Sequence, residues 1–222
     1  MPVIQGLVNA PSNTSAAAGS NPPLLQGKQN DAIVSELNGK YFTDTYNLNT
    51  YYASHTAPGV AFTIYSNTSF IGSILWNPQG SGKLVVPLRV NVGVNANAAT
   101  AASAWGYCFL QNTGANIATG APFSAFTDIN TNRGSNYIGV PGVGNSVVRF
   151  ATTATLTTAF VWGRVAAFAN ATGAVTVSIA DNMSEDFDGS MIIPPGCAVA
   201  LTTAILSGIT AASTWTWAEK PL

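Results

Sequence analysis

From residue 58 onward, apolar and polar residues alternate in short runs, and clusters of Gly, Pro, Asn and Ser separate many of them. Val175, Val177 and Ile179 alternate with Thr176 and Ser178, and Trp215 and Trp217 flank Thr216. A period of two sends one set of side chains to a buried face and the other to solvent, which is strand patterning. Nine runs qualify: VAFTIY, FIGSILW, KLVVPLRVNVGV, WGYCFLQN, VVRFATTATL, AFVWGRVAAFA, AVTVSIA, MIIPPGCAVALTTAIL and STWTWAEKP. So many short strands, rich in Val, Thr, Phe and Trp, predict an all-β antiparallel sandwich or barrel. No fixed repeat runs through them, which argues against a propeller or solenoid.

The first part of the chain is patterned differently. Residues 1–27 contain no charged residue, open with Val3, Ile4, Leu7 and Val8, and continue into NAPSNTSAAAGSNPP. Too few large apolar side chains remain to build a core, so the segment predicts an extended N-terminal arm with an apolar tip suited to tethering on a neighbouring subunit. Residues 28–52, KQNDAIVSELNGKYFTDTYNLNTYY, carry the one helix signal, with Asp31 as cap ahead of AIVSEL and Asn38-Gly39 as stop. The Tyr and Phe residues that follow are expected to clamp the arm to the core. The expected organisation is an arm over 1–27 and a β domain with one short helix over 28–222.

Composition narrows the functional classes. Of 222 residues, 47% are hydrophobic, ample for a core, yet only 8% are charged, against roughly 25% in an ordinary soluble domain. Eight Lys and Arg stand against nine Asp and Glu. Without clustered cations there is no electrostatic footprint for nucleic acid. A surface so poor in charge resists self-association badly and fits a protein covered within an assembly. The N-terminus lacks a basic region ahead of a long apolar stretch, which argues against a secretory signal, and no run reaches the length of a membrane span. Cys108 and Cys197 lack CxxC spacing and lie in apolar runs. They read as buried thiols of a protein made in a reducing compartment, although spacing alone leaves a disulfide open.

Each stretch with a chemical flavour also has a structural reading. GSGK at Gly80–Lys83 lacks the early glycine of a phosphate loop, because Asn77 stands there, and Leu84 replaces the required hydroxyl. The stretch reads as a hairpin turn between two apolar runs. His55 is the single histidine, so any Ser-His-Asp or Cys-His arrangement must use it. No nucleophile elbow accompanies it, and a satisfied or exposed loop histidine is expected. DNMSEDFDG gathers Asp181, Glu185, Asp186 and Asp188, oxygen ligands of the kind calcium takes, but the closing Glu of an EF-hand is absent and a solvated loop between strands is expected. Pro194-Pro195-Gly196 ends one strand before the next. Gly139–Gly144 lacks the order of a dinucleotide fingerprint and reads as a loop. Trp76, Trp162, Trp215 and Trp217 fall in strand patterns and are expected in the core, leaving Trp105 as the exposed aromatic. No catalytic, cofactor or metal residues are assigned.

Taken together, KQNDAIVSELNGKYF, LWNPQGSGKLVVPLRVNVG and DGSMIIPPGCAVAL with the terminal TWTWAEKP resemble a group of tailed-bacteriophage virion proteins. The resemblance implies a jelly-roll sandwich, a homotrimer, and a non-enzymatic role as a capsid decoration, or cement, protein on the virion surface, made in the host cytoplasm. It also implies the major capsid protein as partner, with Val3, Ile4, Leu7 and Val8 reaching neighbouring capsid subunits. Neither cofactor, nucleic acid nor membrane enters that reading. A receptor- or glycan-binding head or tail fibre module is the alternative. It places Trp105, Arg133 and Tyr137 together on exposed loops, where recognition usually sits. The chain lacks the coiled-coil heptads of a fibre shaft.

Overall fold

The structure, a computed structural model, describes residues 39–56, 60–97, 103–110, 123–129, 133–139, 146–157, 160–169, 182–203 and 209–222. The chain forms two compact units, Met1–Thr43 and Asp44–Leu222. The expected boundary after residue 27, the arm and the Asp31-capped helix lie outside the described residues, as do AVTVSIA and Gly142–Gly144.

Among the described residues, a single turn of helix, α1 (Phe42–Tyr46), precedes twelve strands. They are β1 (Thr50–Ser54), β2 (Val60–Ala61), β3 (Ser69–Trp76), β4 (Lys83–Asn97), β5 (Ser103–Leu110), β6 (Phe123–Phe126), β7 (Arg133–Ser135), β8 (Arg149–Leu156), β9 (Val161–Ala169), β10 (Asn182–Asp186), β11 (Ala198–Thr203) and β12 (Ile209–Pro221). One sheet runs β10-β4-β12-β1-β7 with β2 also on β12, and the other runs β6-β8-β3-β11-β5-β9. All the strand pairs are antiparallel. The protein is an all-β two-sheet sandwich, as the alternation predicted.

Among the described strands, no two that are consecutive in the chain lie side by side. That corrects the hairpin expected at Gly80–Lys83: β3 belongs to one sheet and β4 to the other, so the turn carries the chain across the sandwich. Gly80 and Gly82 take φ of 75° and 65° there, where only glycine is unstrained. Asn77 organises the crossing. Its Nδ2 donates to the carbonyls of Lys83 and Ile193, both at 2.9 Å, while its backbone N–H meets Cys197 O and its carbonyl accepts from Gly196.

The core lies between the sheets. Tyr51, Val90, Val92, Trp215 and Trp217 from the first face Leu75, Trp105, Tyr107, Phe150, Val199 and Leu201 from the second. A bulge sets the phase of β4, because Trp217 pairs with Pro87 and Thr216 with Arg89, so one residue of β12 opposes two of β4. Strict alternation would put Val85 and Val90 on opposite faces; the inserted residue returns both to the core, and the missing Pro87 N–H falls where pairing is already broken. The second sheet is apolar on its other face too, where Phe70, Ile74, Trp76, Cys108, Leu110 and Phe123 form a separate cluster. This explains the weak alternation of FIGSILW and CAVAL, since a strand buried on both faces reads as a continuous apolar run.

Candidate functional site

The residues picked out for a recognition surface do not come together in the open. Trp105 is 3% exposed, in β5, with its ring edge-on to Phe62 at 5.0 Å. Arg133 is 8% exposed in β7, its guanidinium 3.3 Å from Asp128 and bonded to the Val148 carbonyl. Tyr137 alone is exposed. The expectation of three exposed residues side by side is thus corrected: Trp105 is the inward-facing residue of its strand, and Arg133 is drawn in by a carboxylate and a carbonyl. Val3, Ile4, Leu7 and Val8 lie outside the described residues.

Most of the other expectations resolve into structure. Trp76, Trp215 and Trp217 are buried, while the Trp162 side chain lies outside the described residues. Cys108 and Cys197 are free thiols rather than a disulfide. Cys108 is buried and donates to Ala200 O, and burial pushes its pKa up; Cys197 is half-buried beside a cleft of about 350 Å³ with Phe109, Met191, Ile192 and Pro194. The acidic stretch is a strand and not a loop from Asn182 to Asp186, because it pairs with β4 from Gly93 to Arg89; Asp181 lies outside the described residues. Asp186 takes Arg89 in a bidentate pair at 2.5 and 2.9 Å. Among the described residues no three His, Cys, Asp or Glu side chains converge to hold a metal, and no helix is long and apolar enough to cross a membrane.

The partners of two buried polar groups were not legible in the sequence. Glu219, at 1% exposure, accepts from Ser146 Oγ at 2.6 Å, from the N–H groups of Val147 and Val148, and from Trp217 Nε1. It fixes the approach to β8 against the end of β12, with the buried Tyr51 hydroxyl, bonded to Leu48 O, close enough to feel its charge. The Glu219 signal in the sequence is one acid near the end of a strand that carries no other acid. His55 is the other. It is buried and hydrogen-bonded, the satisfied one of the two states expected of it, and bridges Gly72 of one sheet to Ser213 of the other. Ser213 Oγ lies 3.2 Å from Nδ1, but both residues are sealed in the core, which makes the contact a structural one.

The open face of the first sheet is the surface these elements present. Register sets Asp186, Arg89, Thr216, Tyr52 and Gly134 in one row across five strands, and Ser184, Asn91, Thr214 and Ser54 in the next. Tyr52 lies across Gly134, where a Cβ would come within 2.8 Å of the ring. The two charges in these rows, Arg89 and Asp186, neutralise each other, so the rows carry no net charge. Their remaining members are mostly hydroxyl- and amide-bearing. No family model, curated protein or solved structure matches this chain.

Proposed function

We propose that this chain is a non-enzymatic virion structural protein, a capsid decoration protein that binds the outer shell of a tailed bacteriophage and bridges major capsid subunits. The observation that carries the reading is the charge-poor sandwich: two rows, across five and four strands, hold one mutually neutralising ion pair, in a chain whose charged residues total 8%. Many copies of such a surface pack closely on a shell without like-charge repulsion, and modest contacts per copy add up through multivalency. The uncharged residues 1–27, led by Val3, Ile4, Leu7 and Val8, supply the tether to neighbouring subunits in this reading, and a homotrimer is its assembly. The interleaving of strands between two sheets supports the jelly-roll winding that goes with it.

The test is co-sedimentation of the full-length protein, and of a variant lacking residues 1–27, with capsids of the source virus. Full-length protein pellets with capsids and the truncated form stays in the supernatant. If both stay in the supernatant, the decoration role is refuted; if both pellet, the arm is not the tether.

A further inference from the structure

We propose that His55 is an acid-sensitive latch between the two sheets, so that protonating this one ring loosens the corner of the sandwich where the chain passes from β1 to β2. The inference goes beyond the capsid role and does not depend on it. His55 directly follows β1 of the first sheet, and its backbone N–H pairs with Ser213 O in β12. Its ring then reaches across the core to the other sheet. Nε2 lies 3.2 Å from the Gly72 carbonyl of β3, which only accepts, so the proton sits on Nε2. Nδ1 is therefore the acceptor for the Ser213 N–H at 3.0 Å. The neutral ring satisfies a group on each sheet at once.

Protonation reverses that fit. A second proton on Nδ1 leaves the Ser213 N–H facing another donor, and sets the new N–H toward Ser213 Oγ at 3.2 Å and Ser213 O at 3.4 Å. The groups the ring faces include Ser213 from β12, Gly72 from β3, and the rings of Phe62 and of Phe150 from β8, at centroid distances of 5.6 and 6.3 Å. None of these four carries a charge to stabilise an imidazolium. Burial accordingly holds the pKa below its ordinary value, outweighing the two carbonyl contacts that pull it up. The sign follows: the closed corner keeps His55 neutral, while an opened corner lets it take a proton below 6.5, so opening grows as pH falls. His55 is the one histidine, so no other side chain titrates near neutral pH with an unperturbed value.

The experiment is hydrogen exchange followed by mass spectrometry on the full-length protein between about pH 7.5 and about pH 5, corrected for intrinsic exchange rates. Protection of residues 70–75 and 209–215 falls as pH drops below 6.5, by up to about tenfold per pH unit at the one-proton limit, while residues 83–88 stay unchanged. His55→Gln removes the pH dependence. Should that variant not fold, nitrogen-15 spectra of the wild-type ring give the same information: the neutral Nε2–H form persists below pH 6.5 as long as the corner is closed. Protection that is flat across the range, a slope unchanged in His55→Gln, or a charged ring inside a protected corner overturns the proposal.

Discussion

Asn77 stands where both sheets hand over the chain, and replacing it measures how much that crossing depends on one side chain. Asn77→Ala removes two hydrogen bonds, to Lys83 O and Ile193 O. Ile193 O keeps the Val85 N–H at 3.1 Å and Lys83 O keeps Ser81 Oγ at 3.4 Å, so neither acceptor is orphaned. The loss is then two net bonds of about 1 kcal/mol each rather than two full desolvation penalties. Asn77 Oδ1, buried without a hydrogen-bond partner among the described residues, disappears in the same substitution and offsets part of it. The expected cost is about 1 to 2 kcal/mol. Asn77→Asp keeps the shape but sets a carboxylate against two carbonyl oxygens in a site of zero exposure, and costs about 4 kcal/mol or more at neutral pH. Urea denaturation of the three proteins at pH 7, with equal slopes, gives the order Asn, Ala, Asp. An Asp variant as stable as the Ala variant would refute the assignment of Nδ2 as a double donor.

Further substitutions probe the rest of the fold. Glu219→Ala strands the Val148 N–H and the Trp217 indole, both buried, and should cost about 2 to 4 kcal/mol by thermal melting, with Glu219→Gln between it and the wild type. Gly163→Ala drives a Cβ to within 1.9 Å of the Phe109 ring, so the ring must move; a loss of about 1 to 3 kcal/mol is expected, and Phe109→Ala in the same chain should remove the penalty of the second substitution. Burial first and the Glu219 charge second raise the Tyr51 pKa to about 12, so folded Tyr51 stays neutral where the unfolded chain ionises. Its stabilising contribution is intact below pH 10 and is lost as pH rises from 10 towards 12. Tyr51→Phe should flatten that alkaline limb in denaturation curves, and an unchanged limb would show that another group governs it.

Local pattern and tertiary pairing divide this protein cleanly. Period-two alternation reports which side of a strand is wet, a property of neighbouring residues, so TWTWAEK, VVRFATTATL and KLVVPLRVNVGV declared themselves as strands and Trp215 and Trp217 as core. Charge content is likewise a property of the sequence alone, and at 8% charged residues it marked the chain as poor in charge before any fold was known. Which strands share a sheet depends on residues far apart in the chain, and no local signal separates a hairpin turn from one that crosses the sandwich; Gly80–Lys83 has the same glycines either way. Short strands such as Arg133–Ser135 exist only because β1 offers a free edge. The tertiary structure alone also decided the fate of the polar residues. His55, Glu219 and Arg133 are ordinary surface residue types until hydrogen-bond partners from distant segments make their burial tolerable, and those partners are assembled only by the fold.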